Sequence, residues 1–328
     1  KVGAVEFGDI PAPTIPVLTK PYNILATGIG GTGVLTVGQV LGMAAFLEGK
    51  GMTILDMSGL AQKNGSVMSH IRIAPTQDML HATRVAAGEA QLVLGCDVLT
   101  TTAEDSLAKM AVGVTKAVIN SAVVMPATFT HSADLKFPLG SMEREIIEAC
   151  GADSAWFMDA TKVATRLMGD SIATNLFVLG YAWQKGLVPL LEATILRAIE
   201  LNGAAIEMNK NAFLWGRRAA VDMKRVEEIA MPKVAAPASM KLSESLEETI
   251  ERRVKFLTDY QDDKYARTYS DFVAFVRQAE TAKLPGKTAL TEAVARYYFK
   301  LLAVKDEFEV ARLHSNGDFE KRIAGQFE

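Results

Sequence analysis

Apolar and polar positions divide the chain into two regimes. Between Tyr22 and Thr161, short apolar runs of strand length alternate with longer amphipathic stretches. The runs are YNILAT (22–27), MTILDM (52–57), VMSHIRIAP (67–75), QLVLGCD (91–97), KAVINS (116–121) and AWFMDAT (155–161). VLTVGQVLGMAAFLE (34–48) predicts the first helix, ended at Gly49 to Gly51, and MEREIIEACGA predicts another, closed by Gly151. In TTTAEDSLAKM, Thr102 and Asp105 have capping-box spacing, so a helix is expected there. This rhythm predicts an α/β fold: a three-layer, Rossmann-like domain with a mostly parallel sheet. The strand 67–75 alternates, placing Met68, His70 and Arg72 on one face, and reads as an edge strand whose polar side meets solvent or a partner.

From 161 to 230 the pattern turns helical, in NLFVLGYAWQKG, PLLEATILRAIEL and NKNAFLWGRRAAVDM. The aromatic residues there read as helix-packing core, and Arg217–Arg218 as a solvated helix face or a phosphate contact. After a linker of small residues and prolines at 231–243, residues 244–328 show apolar positions at i, i+3, i+4 among many charges. They predict a small all-helical C-terminal domain. Residues 1–21 carry Pro11, Pro13, Pro16 and Pro21 and read as an extended linker or arm. The α/β domain is therefore expected over 22–230. Lys1 is not an initiator methionine and GDFEKRIAGQFE has no terminating feature, so the chain is expected to be processed or part of something longer.

Candidate chemistry centres on Tyr22 to Gly33, YNILATGIGGTG. Gly28, Gly30 and Gly33 fit G-x-G-x-x-G, with Gly31 and Thr32 between, after a strand and before a helix. Glycines permit positive φ, and the free N–H groups of the helix's first turn face an anion. The loop 58–66, with Gln62, Lys63, Asn64 and Gly65 at its tip, and Asn120 at the end of the strand 116–121, are expected on the same carboxyl edge. Lys63 or Arg72 would act as an anion clamp. Asp56, 23 residues after Gly33, would hold a ribose hydroxyl or merely cap the strand end.

The 328 residues are 49% apolar and 22% charged, with a net charge of −3, which argues against a nucleic-acid partner. No apolar run approaches the ~20 residues of a membrane span. Cys96 and Cys150 are the only cysteines, which suits a reducing, cytoplasmic setting and excludes a self-contained iron–sulfur cluster. No nucleophile elbow, Walker A lysine, H-E-x-x-H, C-x-x-C or GDG occurs. The chain therefore offers no catalytic constellation and no metal site of its own.

The stretch ILATGIGGTGVLTVGQVLGMAAFLEGKGMTILDMSGLAQKNGSVMSHIRIA resembles the gamma domain of the 2-oxoacid:ferredoxin oxidoreductases, and within them the indolepyruvate type. TNLFVLGYAWQKGLV and NKNAFLWGRRA resemble the end of that domain. RRVKFLTDYQDDKYA through YYFKLLAVKDEFEVARL is similar to the extra C-terminal domain of the fused bacterial members. The resemblance implies an enzyme that decarboxylates arylpyruvates oxidatively to acyl-coenzyme A. In such an enzyme thiamine diphosphate, magnesium and 4Fe-4S clusters lie on other domains or subunits, in a dimeric assembly with ferredoxin as electron acceptor. This portion would flank the active site and help hold coenzyme A, being inactive alone. Thr32 stands where many gamma domains have Gln. Two other readings stay open: a free-standing NAD-dependent oxidoreductase, and a structural assembly module whose glycine loop only packs.

Overall fold

The computed structural model describes residues 10–58, 65–125, 136–231 and 242–325. The chain forms two compact units, Lys1–Lys233 and Val234–Glu328. No helix among the described residues is long and apolar enough to cross a membrane.

The first unit is built on a six-stranded sheet of β1 (Tyr22–Ile29), β2 (Gly51–Ser58), β3 (Ser66–Ala74), β4 (Leu92–Gly95), β5 (Lys116–Asn120) and β6 (Ala155–Met158), in the order β2-β3-β1-β4-β5-β6. β1, β4, β5 and β6 pair in parallel, while β3 pairs antiparallel with β1 on one side and β2 on the other. The sheet is thus mostly parallel, as the strand–helix rhythm predicts, with one reversed strand. Both faces are covered, which is why β1 and β4 read as continuous apolar runs. On one face, Ile24, Ile71, Ile73, Leu92, Leu94 and Val118 meet α1 (Val34–Leu47), α5 (Ala160–Met168), α6 (Thr174–Gln184), α7 (Glu192–Asn202), α8 (Ile206–Val221) and α9 (Met223–Ala230). On the other, Leu25, Val93, Ala117 and Ile119 meet Val98 of α2 (Val98–Thr101) and Ile146 and Cys150 of α4 (Leu139–Cys150).

Several expectations are corrected here. β3 is not an edge strand; β2 is. His70 is fully buried, and its Nδ1 accepts from the Val85 amide at 3.2 Å. Arg72 donates from Nε to Asn23 Oδ1 at 2.8 Å and from its guanidinium to Ala82 O at 2.6 Å; it pairs with Asn23 at the amino end of β1, away from the glycine turn, so it is no clamp for an anion there. Thr102 is not the N-cap of α3 (Glu104–Leu107); Ala103 holds that position without a side-chain cap. Asp97 caps α2 through the Thr100 amide, and the Thr102 hydroxyl turns back onto the Val98 and Leu99 carbonyls. Because α2 starts three residues after β4 ends, the first acceptor positioned for its free amides is Asp97. Arg217 is buried, donates to Gln184 and Glu192 and stacks over Trp183, so it is no phosphate contact. The arm lies against this unit: Gln184 donates to Pro11 O, and Ile15 and Leu18 meet the core.

The second unit contains α10 (Leu246–Tyr260), α11 (Asp263–Lys283), α12 (Ala289–Leu302), α13 (Glu307–Ser315) and α14 (Asp318–Ala324). Its core is Leu257, Ala266, Tyr269, Val273 and Ala295. Buried Glu280 accepts from the Leu290 and Thr291 amides, doing for α12 what its own N-cap Thr288 does not.

Candidate functional site

β1 feeds α1 on one face of the sheet and β4 feeds α2 on the other. The two connections diverge, and a crevice opens between the carboxyl ends of the strands, where open α/β sheets bind ligands. A cleft of about 370 Å³ occupies that place. Ile29, Gly31 and Thr32 line it from the glycine turn, Cys96 and Asp97 from the end of β4, and Asn120 and Val124 from β5 and beyond. Thr161 of α5 closes it together with Asp170, Ser171, Ile172, Thr174 and Asn175.

The glycines divide their work. A Cβ on Gly28 would stand 2.5 Å from Val34 Cγ2 and 3.1 Å from Cys96 Cβ, so this residue lets α1 sit close on the strand end. Gly31 and Gly33 have φ of 85° and 88°, a left-handed conformation costly to residues with a side chain. The Gly30 amide is spent on Gly65 O at 2.7 Å, which brings Gly65 to the turn. The Thr32 amide and hydroxyl both return to Ile29 O. Among the described residues, the amides of Gly31, Gly33, Val34 and Leu35 meet no protein acceptor, and the last three open the N-terminus of α1. These are the donors available to an anion. Gln62, Lys63 and Asn64 lie outside the described residues.

Asn120 lines the cleft, yet its amide is engaged on every side. Nδ2 donates to Cys96 O at 3.0 Å and Thr161 Oγ1 at 2.9 Å; Oδ1 accepts from the Ala122 and Thr161 amides. Four bonds saturate the group, so Asn120 fastens β4, β5 and α5 together at the site and has no donor left for a ligand. Asp56 stands two strands from the glycine turn because β3 intervenes, and it accepts from Ser69 Oγ. The ribose reading of Asp56 needs an adjacent strand, and it fails on that geometry.

Cys96 is buried, and burial together with the neighbouring Asp97 carboxylate pushes its thiol up to about 12. It remains a protonated, small apolar group. Asp97 is 5% exposed; one carboxylate oxygen accepts from the Thr100 amide at 2.8 Å, and the other has no donor among the described residues. Asp170 caps the short turn before α6 through the Ile172 amide. Beneath the cleft the Thr101 hydroxyl donates to Asp97 O at 2.6 Å, which makes Thr27 the donor in the 2.7 Å Thr27–Thr101 contact.

Sequence reasoning missed Asp97, Thr161, Asp170 and Asn175. Asp97 follows a strand at the carboxyl edge, the same signal that singled out Asp56. Asn175 was not legible. Its Nδ2 donates to Thr32 O at 2.8 Å from 143 residues away, buttressing the glycine turn from α6.

Comparison with known proteins gives two family matches. The family described as pyruvate ferredoxin/flavodoxin oxidoreductase matches residues 23–219, and a family of unknown function matches residues 246–328. The indolepyruvate oxidoreductase subunit IorB of Thermococcus kodakarensis is 27% identical over 206 residues, covering 62% of this chain and 98% of that protein. That of Methanothermobacter thermautotrophicus is 28% identical over 203 residues, covering 61% and 98%. Among solved structures, the pyruvate oxidoreductase subunit PORC of Thermotoga maritima aligns with a TM-score of 0.42 at 20% identity, covering 61% of this chain and 97% of that one. The 2-oxoglutarate:ferredoxin oxidoreductase of Magnetococcus marinus, solved with 2-oxoglutarate, coenzyme A and succinyl-CoA, aligns with a TM-score of 0.47 at 18% identity, covering 62% and 31%.

Proposed function

The chain belongs to the pyruvate ferredoxin/flavodoxin oxidoreductase family, and from that premise we propose that it is the gamma-type, non-catalytic portion of an arylpyruvate:ferredoxin oxidoreductase that helps bind coenzyme A. The indolepyruvate preference is supported by the relatives it matches over 98% of their length. In this reading the assembled enzyme converts a 2-oxoacid anion and coenzyme A into acyl-coenzyme A and carbon dioxide, with two electrons passing to ferredoxin and the thiol proton released.

A self-contained iron–sulfur cluster does not fit the cysteines of this chain. A 4Fe-4S cluster takes four thiolates, whereas the two cysteines here are buried apart in the two cores, with the Cys96 thiol held protonated. No group of three or more His, Cys, Asp or Glu side chains among the described residues converges as metal ligands. Thiamine diphosphate and the iron–sulfur clusters belong, in this reading, to partner domains or subunits, and no chemical step is assigned to this chain.

Coenzyme A is different. The observation that carries the reading is the open N-terminus of α1, whose free amides follow two left-handed glycines at the mouth of the β1/β4 crevice. A phosphate there meets several N–H donors and the positive end of a helix dipole. Lys63, two residues before Gly65 in the sequence, completes the proposal as a cation. The test is calorimetric titration of coenzyme A into the assembled enzyme carrying Gly31→Val or Lys63→Ala. A Cβ at Gly31 meets open space, so Gly31→Val perturbs backbone conformation without a clash. Weaker binding by about tenfold in each variant is expected, equivalent to one charge-assisted hydrogen bond. Unchanged binding in both overturns the site and favours a glycine loop that only packs.

A further inference from the structure

The cleft beside the glycine turn has the wrong charge for phosphate. Among the described residues, its lining includes two carboxylates, Asp97 and Asp170, and no lysine, arginine or histidine. Asp97 is almost wholly buried, so its field is little screened by water. One Asp97 oxygen holds α2, and the other has no donor among the described residues of the cleft that Asp97 lines. That oxygen is not sealed from solvent, so a ligand N–H or O–H there replaces water on a charged acceptor. The remaining walls, Ile29, Val124 and Ile172, are apolar, and Ile172 is exposed.

We infer that this cleft receives a neutral, N–H-bearing, largely apolar part of coenzyme A, recognised by Asp97 with Asp170, while the phosphates remain outside it at the N-terminus of α1. This rests on the coenzyme A reading above and divides that site in two: amides for the anion, carboxylates for the donor. Two parts of coenzyme A have this chemistry. The pantetheine arm carries two amide N–H groups on an aliphatic chain, and the adenine ring carries an exocyclic amine on an apolar plane. Each presents donors to a carboxylate and an uncharged surface to the isoleucine and valine walls.

Asp97→Asn provides the test, because it has a sign. Asparagine keeps an acceptor for the Thr100 amide and is as good an N-cap as aspartate, so α2 is retained. Asp170→Asn is the second variant, with its cap likewise preserved. Coenzyme A, pantetheine and adenosine 3′,5′-bisphosphate are titrated calorimetrically into the assembled enzyme. Asp97→Asn is expected to weaken coenzyme A about tenfold or more, as loss of a hydrogen bond to a charged acceptor requires, and Asp170→Asn, being exposed, by less. A parallel loss confined to pantetheine identifies the arm as the occupant; one confined to the bisphosphate identifies adenine. Tighter coenzyme A binding after removal of the Asp97 charge means that a phosphate occupies the cleft, and it overturns the inference. Unchanged affinity in both aspartate variants also overturns it. If Gly31→Val weakens binding while the aspartate variants do not, the coenzyme A reading survives this failure; if none of the three does, both fall.

Discussion

Replacing Gly180 or Gly216 by alanine tests the packing that carries α6, and with it the far wall of the cleft. Alanine is the better helix former by about 1 kcal/mol, so on an exposed helix either change stabilises. Here the helices cross backbone to backbone. A Cβ on Gly180 falls 2.0 Å from Phe213 O, and one on Gly216 falls 2.0 Å from Phe177 O. A carbon resting against a carbonyl oxygen needs roughly 3.3–3.6 Å, so α6 and α8 must part by more than about 1 Å. A gap of that size forfeits about a quarter to a half of each dispersion contact across it. The obstructing atoms are main-chain oxygens, and α6 is buried all round from Thr174 to Trp183, so no side chain can swing aside. The cost belongs at the upper end of overpacking, about 3 kcal/mol or more, which for a unit of this size lowers Tm by roughly 6–12 °C. Both substitutions open the same interface, so the double variant is expected to cost far less than the sum of the singles. Thermal and urea unfolding of the three variants read this directly. A rise in Tm in either single variant, or strict additivity in the double, refutes the argument from close helix approach.

Two further outcomes follow from buried polar groups. Burial first, then the charges of Arg84 and Lys109, lower the His70 pKa from its ordinary 6.5 to about 4. Between those values the unfolded chain takes up a proton that the folded chain refuses, so stability present above pH 6.5 is lost as the pH falls to 4, by up to about 3 kcal/mol. Urea unfolding at pH 7 and pH 5 should show this slope in the wild type and a shallower one in His70→Leu; equal slopes refute it. Asn175→Ala removes the donor that holds Thr32 O, at a cost of about 1–3 kcal/mol. It should weaken coenzyme A in the assembled enzyme, and unchanged affinity by calorimetry would show that the glycine turn needs no buttress.

Most of the local structure was legible before any coordinates. The strands β1, β2, β4, β5 and β6, the helix α1 and the glycine turn lie within a few residues of their sequence assignments, because apolar runs of strand length and glycine punctuation are local signals. The turn's chemistry was also legible in outline, since glycine after a strand and before a helix leaves amides free wherever it occurs.

What the sequence could not determine is which strand lies beside which. The pattern of β3 was read well, but an alternating strand looks alike at an edge or one place inside it, and only long-range pairing puts β3 between β1 and β2. That single placement buries His70, sets Arg72 against Asn23 and Ala82 at the far end of β1, and moves Asp56 out of reach of the turn. Hydrogen-bond accounting decided the rest. Asn120 stands where the sequence puts it, yet its four bonds are known only once Cys96, Ala122 and Thr161 are in place around it. Asn175 reaches Thr32 across 143 residues that no local pattern connects. Propensity and periodicity act over a few residues, whereas partner choice for a buried polar group is settled by whatever the whole fold brings within 3 Å of it.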